Sequence, residues 1–413
     1  KKIKLLNELG RVSLDELNIL LLDNETLKNV DDAKYQDNLS LINKAQTLVQ
    51  ISDVLRNSNR DSVSAFVAKL EENKTEDNLF VLDFAKKYQT QMETQLQDDA
   101  ISFVKNVATD IVIEDVPLLL DTDNAVGMAE NRIQSAELVR RKYGLPNLQI
   151  LTKAEVASLQ GFLNQPETTT QDRFNILKRY QQVYGSENLF EIARQLNDGK
   201  ADHVLIGAVS LFAMGGEENA QAAFKVLQGR DDLKSDARQP FGLNKFRQYS
   251  SIEILPAFDR DGGQTAESYD VSYKTAEAIY ASLYRENPIL SDNITMEEKM
   301  FEDAWKMAMS NRLDVVNDYK TILPIGIDAS TFQNIVNKLT PDLIFAASAK
   351  ASGFKSHKVS EKMAKSIQDG RFVAHGNPEN GYLVKLEIDG EFQIALDEDG
   401  DFIFIDPSRL RAK

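Results

Sequence analysis

The chain has 413 residues, 64 of them acidic and 48 basic, which gives a formal net charge of −16. This balance argues against a general surface for duplex DNA, because contacts to phosphates need clustered lysine and arginine side chains. The sequence holds no cysteine, which excludes disulfides, thiolate nucleophiles and thiolate metal ligands in this chain.

A targeting signal would lie at the start of the chain or in its most apolar segment. The first residues are lysines and not methionine, and we interpret the chain as one piece of a longer protein. Asn7 and Glu8 interrupt the apolar residues near the start, so no signal peptide is predicted. The apolar run at 204–214 is shorter than the ~20 residues of a spanning helix and predicts a buried core helix. Contact of this run with a membrane is the alternative.

Residues 1–116 are predicted to form an N-terminal region of long helices, because they contain one glycine, Gly10, and no proline. Ser13 and Glu16 have the spacing of a capping box. Turns are predicted at 31–32 and 57–59, where asparagine, aspartate and serine cluster. A stripe at helical spacing lies between these turns: Leu41, Ala45, Leu48, Ile51 and Leu55.

Residues 117–325 are predicted to form a second helical domain, built from shorter segments. Thr152 and Glu155 form another capping box. Glycine is expected just past a helix end, where the left-handed conformation is needed. On this basis six glycines are predicted to end helices: Gly144, Gly161, Gly185, Gly199, Gly216 and Gly229. The pattern indicates a helical bundle or a solenoid-like stack of helical hairpins.

The later part of this domain has a different pattern of helix and loop signals. An irregular connection is predicted for 230–263, which contains prolines and paired glycines. Helices are predicted again for 269–285 and from Thr295, with Glu298 completing its cap. Tyr269, Tyr273, Tyr280 and Tyr284 form a helical stripe that indicates a core or an interface.

Residues 326–413 are predicted to contain short helices followed by strands. Thr340-Pro341 opens one helix, with proline at a position that a helix tolerates. Apolar residues alternate through 382–388, 392–396 and 402–405, separated by Asp389-Gly390 and Asp399-Gly400. Two Asp-Gly turns between alternating runs predict an antiparallel meander. The predicted fold class is therefore mainly α, with multi-helix bundles and a small C-terminal antiparallel β meander.

The sequence predicts no catalytic, cofactor-binding or metal-binding residues. His203, His357 and His375 are far apart and none forms a pair with ligand spacing. The acidic run 397–401 resembles a calcium loop, but position twelve is Ser408 and not glutamate, so a hairpin tip is predicted. The acidic glycine loop 259–263 is interpreted in the same way. Gly215-Gly216 follows a helix, whereas a phosphate loop opens one.

Several segments together resemble the internal virion proteins of tailed bacteriophages, also called ejection or core proteins. The resemblance covers roughly residues 100–413. It consists of the order of the segments and their pattern of residue types, without a diagnostic motif. The segments that carry it are 136–146, 151–156, 184–185, 212–216, 223–230, 369–373, 381–384 and 399–406.

This resemblance implies a non-enzymatic, oligomeric protein of the virion interior, near the portal, that assists genome ejection across the host envelope. It implies as partners further copies of the chain, other core or portal proteins, DNA passing without sequence-specific binding, and the envelope after ejection. No cofactor is implied. In such proteins a transglycosylase sometimes precedes these modules. The alternatives are a peptidoglycan-degrading enzyme that uses paired carboxylates and a helical scaffold unrelated to phages.

Overall fold

A computed structural model describes residues 14–26, 28–108, 110–198, 202–235, 238–258, 264–288, 294–347, 357–374 and 381–406. These residues form fifteen α-helices and six β-strands, with the main sheet near the C-terminus. The predicted fold class, mainly α with a C-terminal antiparallel meander, is confirmed. The chain divides into two compact units, Lys1–Leu159 and Gln160–Lys413. The domain boundaries predicted at 117 and 326 stay predictions.

The first unit contains long helices, as the scarcity of glycine and proline predicts. Asp31 caps one of them by accepting the N–H of Lys34, and Asn59 caps the next by accepting that of Ser62. Both predicted turns are therefore confirmed, whereas Ser13 lies outside the described residues. The helices are α1 (Leu14–Glu25), α2 (Asp32–Asn57), α3 (Arg60–Glu72), α4 (Leu79–Val107), α5 (Ala125–Tyr143) and α6 (Lys153–Asn164), with the division between units inside α6.

A buried arginine ties α5 to the start of α6. The predicted capping box is present, because Glu155 accepts the N–H of Thr152 and the Thr152 hydroxyl accepts that of Glu155. The same Glu155 carboxylate binds both terminal nitrogens of Arg132, whose side chain is fully buried. Arg132 also donates to the carbonyl oxygens of Glu114 and Ile150. One guanidinium therefore joins a loop, a helix start and a helix face.

The second unit is built around the apolar helix α8, whose burial was predicted from the run at 204–214. Nine of its twelve residues are buried. The helices of this unit after α6 are α7 (Thr170–Asp198), α8 (His203–Met214), α9 (Glu217–Leu233), α10 (Leu243–Tyr249), α11 (Gln264–Glu286), α12 (Ile294–Ala308), α13 (Ala329–Val336), α14 (Pro341–Ala347) and α15 (Glu361–Gln368).

The glycines predicted to end helices fall into different classes. Gly144 ends α5 with φ of 62°, as predicted. The prediction for Gly216 was wrong, because Gly215 caps the end of α8 and Gly216 caps the start of α9. Gly185 has φ of 76° and kinks α7, which resumes beyond it. The predictions for Gly161 and Gly229 were wrong, since both lie inside helices that continue for several residues. Gly199 lies outside the described residues.

Gly229 is explained by helix packing. A Cβ atom at this position would lie 1.7 Å from the carbonyl oxygen of Ala278 on α11. Gly207 on α8 meets α11 in the same way, because its Cβ would lie 1.8 Å from the hydroxyl of Thr275. Helix α11 therefore approaches both neighbours closely enough that only hydrogen fits at these two contacts.

Residues 230–263 were predicted to form an irregular connection. This prediction was wrong, because the described residues of this segment are largely helical. Helix α9 extends to Leu233, and α10 is followed by a π-helical turn, Ser250–Ile254, and a 3₁₀ turn, Leu255–Ala257. The Ser250 hydroxyl accepts the indole N–H of buried Trp305 and donates to the carbonyl of Phe246. Tertiary packing of aromatic side chains thus stabilises a segment whose composition indicates a loop.

The predicted tyrosine stripe on α11 belongs to this aromatic core. Tyr280 stacks on Phe246 with ring centroids 5.1 Å apart, and Tyr269 stacks on Trp305 at 6.0 Å. Tyr273 lies near both Phe246 and Trp305. The stripe therefore serves as a core contact within the second unit.

The C-terminal strands form the predicted meander, and the structure contains one further hairpin. In the main sheet β4 (Tyr382–Ile388) pairs with β3 (Arg371–Ala374) on one side, and with β5 (Glu391–Ile394) and β6 (Phe404–Ile405) on the other. A separate hairpin, β1 (Leu313–Val316) and β2 (Tyr319–Ile322), was not predicted. Its turn residues Asn317 and Asp318 both have positive φ, as the two-residue hairpin turn requires.

Candidate interaction surfaces

The three histidines are not brought together by the fold. His203 is the first residue of α8 and is half-buried, and His357 lies just before α15, fully buried. His375 is outside the described residues. Among the residues that the structure describes, no three histidine, aspartate or glutamate side chains are grouped to hold a metal ion.

His357 forms a buried pair with Asp397, forty positions later in the chain. Its Nδ1 lies 2.8 Å from Asp397 Oδ2, and its Nε2 accepts the backbone N–H of Phe404 at 3.2 Å. Because a backbone N–H can only donate, Nε2 carries no proton and Nδ1 donates to Asp397. Both ring nitrogens therefore form hydrogen bonds that connect the segment before α15 to the meander. Neither nitrogen is available to bind a substrate.

Asp397 organises the predicted hairpin tip and is not arranged as a calcium ligand. Its Oδ1 accepts the N–H groups of Asp399 and Asp401, and its Oδ2 faces His357. Both carboxylate oxygens are therefore occupied by protein donors. The other predicted acidic loop, 259–263, lies outside the described residues.

We expect acid to weaken the C-terminal sheet through Asp397. Burial raises its pKa, but hydrogen bonds from His357 and two N–H groups outweigh burial and hold the pKa of Asp397 below its usual value. Because the pKa of Asp397 is lower in the folded state, its ionised carboxylate stabilises the fold at pH values above its unfolded-state pKa of about 3.9. This contribution is lost as the pH falls through the folded-state pKa.

Urea unfolding of wild type and Asp397→Asn between pH 7 and pH 3 measures this effect. The wild type is expected to lose more stability than the variant over that interval. Equal losses in the two proteins would contradict the assignment.

A carboxyl group that serves as a general acid needs a raised pKa. Among the described residues, every carboxyl group whose pKa departs clearly from its ordinary value shifts downward. Each accepts hydrogen bonds from a cationic side chain or from N–H and O–H donors, and in Asp202 those of Arg230 and Val204 outweigh the burial that raises its pKa. The groups are Asp115, Asp172, Asp202, Glu302, Asp328 and Asp397.

A first set of exposed residues combines Arg238 and Phe241, which follow α9, with Arg285 near the end of α11, and we name it the Arg–Phe surface. Arg238 and Arg285 each direct Nη1 at the same oxygen, Oδ1 of Asp232, at 3.2 and 3.4 Å. Asp232 is fully buried, and its Oδ2 has no partner among the described residues. Both guanidinium groups are about half exposed. Phe241 is 98% exposed.

A second constellation is the acidic tip, which we define as Glu398, Asp399 and Asp401. All three residues are exposed, and none has an ion pair with another described residue. Leu396 and Phe402 pair across the base of the tip, and both are about half exposed. The tip therefore combines three unpaired carboxylates with two apolar side chains.

Sequence reasoning located the acidic tip but missed the Arg–Phe surface. Arg238 and Arg285 are separated by an entire helix, and only the fold places both at Asp232. The available signal was Phe241 between Pro240 and Gly242, an aromatic residue in a turn-like segment. The His357–Asp397 pair was likewise missed, since nothing in its spacing marks it.

Comparison with protein families, with curated proteins and with solved structures finds no match to this chain. In the described part of the chain, no helix is long and apolar enough to cross a membrane.

Proposed function

We propose that this protein is a structural component of the interior of a tailed-phage virion, where it oligomerises and assists genome ejection. The observation that carries this proposal is the Arg–Phe surface, in which two half-exposed arginines share one carboxylate oxygen and a fully exposed phenylalanine follows three positions after Arg238. Aromatic and arginine side chains dominate the binding energy of protein interfaces. The phage assignment rests on the order of the segments that resemble ejection proteins.

The positions of the charged side chains support a role in protein assembly more than a role in catalysis. The buried arginines act as cross-links: Arg173 binds Asp231 and the carbonyls that end α6, and Arg230 binds Asp202. The buried histidine is engaged by Asp397 and Phe404. Within the described residues, the ionisable side chains that remain available lie on exposed surfaces, where they can meet a partner.

The proposed setting is the capsid interior near the portal, followed by the host envelope after ejection. Partners are further copies of the chain, other core or portal proteins, and DNA that passes without sequence-specific binding. An acidic wall repels DNA and so suits a conduit. Helical modules without disulfides can unfold and refold when they pass a narrow channel.

The test is to follow the chain through genome release. Particles from the phage that encodes it are purified, and the chain is quantified by mass spectrometry before and after release is triggered. We expect it in full particles and expect its loss from emptied ones. Absence from full particles would refute the proposal. A peptidoglycan-lysis band in zymography, lost on one glutamate substitution, would favour the enzymatic alternative.

A further inference from the structure

We propose that copies of this chain associate head to tail, with the acidic tip of one copy bound to the Arg–Phe surface of the next. This inference deepens the proposed function, because it rests on the chain forming homo-oligomers. Both surfaces belong to the second unit and were defined above by their residues. Among the described residues, no hydrogen bond or ion pair joins them within one copy.

Among the described residues, the two arginines of the Arg–Phe surface have one carboxylate partner between them. Arg238 and Arg285 bind one oxygen of Asp232, so two guanidinium groups share one negative charge. Each guanidinium has five N–H donors, and Asp232 Oδ1 is the acceptor that the structure shows for each. The remaining donors are available to carboxylates, which arginine binds in a two-pronged geometry.

Phe241 is an exposed apolar side chain in the same segment of the chain as Arg238. It lies three positions from Arg238, and its ring is almost completely exposed. Transfer of a phenylalanine side chain from water into an apolar contact is strongly favourable. An occupant that offers both carboxylates and apolar side chains therefore fits this surface better than an anion alone.

The acidic tip offers this combination. Its three carboxylates have no ion pair with a described residue, and Leu396 and Phe402 lie at its base. Asp397 stabilises the turn of the tip by accepting the N–H groups of Asp399 and Asp401. A preformed tip loses less conformational entropy on binding than a flexible loop.

The two surfaces are different, so their contact is heterologous. A heterologous contact generates a ring when its rotation closes and an open filament when it does not. Unless two copies bind each other reciprocally, the same contact on every copy extends the assembly beyond a dimer.

A charge-swap experiment tests the contact. Variant A is Arg238→Glu with Arg285→Glu, and variant B is Asp399→Arg with Asp401→Arg. Each variant alone presents like charges at the contact, whereas A mixed with B restores opposite charges at both kinds of interface. Sedimentation velocity from 1 to 100 µM, a range of about two decades around typical affinities, follows assembly. We expect wild type to assemble, A and B each to associate about 100-fold more weakly, and the mixture to recover.

Matched variants separate the contact from general charge and stability effects. Lys362→Glu with Lys365→Glu changes the net charge as variant A does, at exposed side chains of α15 that have no ion pair with a described residue, and we expect wild-type assembly. Variant A places glutamates beside Asp232, so its fold is checked by circular dichroism. If A is unfolded, Arg238→Gln with Phe241→Ser replaces it, and we expect this variant to assemble about tenfold more weakly.

Three outcomes of the assembly measurements would overturn the inference. They are a wild type that stays monomeric up to 100 µM, a folded variant B that assembles as wild type does, and a mixture of folded A and B that stays monomeric. Salt-sensitive binding of a short DNA duplex that is lost in A, with assembly unchanged, would assign the arginines to DNA and also overturn it. The proposed function fails separately, through absence of the chain from particles.

Discussion

Replacement of Gly229 by alanine is expected to destabilise the second unit by about 3 kcal/mol or more. The new Cβ would lie 1.7 Å from the carbonyl oxygen of Ala278 and 3.1 Å from the backbone nitrogen of Ser282. These atoms belong to the backbone of α11, so no side-chain rotation relieves the overlap and the two helices must separate. Thermal unfolding followed by circular dichroism at 222 nm measures the loss.

Gly161→Ala is the matched control. This glycine lies inside α6, is exposed, and would have no atom within 4 Å of an added Cβ. Alanine favours a helix interior over glycine by about 1 kcal/mol, so this variant is expected to be slightly more stable than wild type. Similar shifts at Gly161 and Gly229 would show that the close approach of α9 and α11 is incorrect.

These two glycines also show where prediction from sequence stops. Gly144, Gly161 and Gly229 all follow amphipathic segments, and only the first ends its helix. A glycine is needed at a helix end for its positive φ and inside a helix for close packing. The second need depends on the neighbouring helix, which local sequence does not identify.

The strands give a similar contrast. Asp389-Gly390 and Asp399-Gly400 mark the meander because glycine turns and alternating side chains are local signals. The β1–β2 hairpin turns through Asn317-Asp318, which carries no glycine, and its strands are only four residues long. Two strands this short, joined by a turn without glycine, have a sequence pattern that cannot be distinguished from that of a loop between two helices.

The candidate surfaces depend even more on the fold. The acidic tip is local and was identified as a hairpin, whereas Arg238 and Arg285 meet only because α11 packs along α9. Asp232 joins them, and its complete burial could not be predicted for an aspartate in an acidic helix. Long-range contacts of this kind define the interaction surface, so composition and periodicity could predict the scaffold but not the contact.

Replacement of Arg132 by methionine is expected to destabilise the first unit by about 3–5 kcal/mol. Methionine has a similar length and no charge, so it removes the hydrogen bonds that Arg132 donates to the carbonyls of Glu114 and Ile150 and to the carboxylate of Glu155. A buried polar group that loses its partner retains the full cost of leaving water. Urea unfolding, followed by a probe within the first unit, measures the change.

Arg132→Lys and Arg141→Met complete the series. Lysine keeps the charge but cannot bind Glu155 with two parallel N–H groups, so we expect an intermediate loss. Arg141 lies on the same helix with an exposed side chain 3.7 Å from Glu137, and its replacement is expected to change stability by less than about 0.5 kcal/mol. Equal effects at positions 132 and 141 would mean that the buried guanidinium does not hold α5, α6 and the connecting loop together. The predicted order, with methionine at 132 most damaging, follows from burial and hydrogen bonding alone.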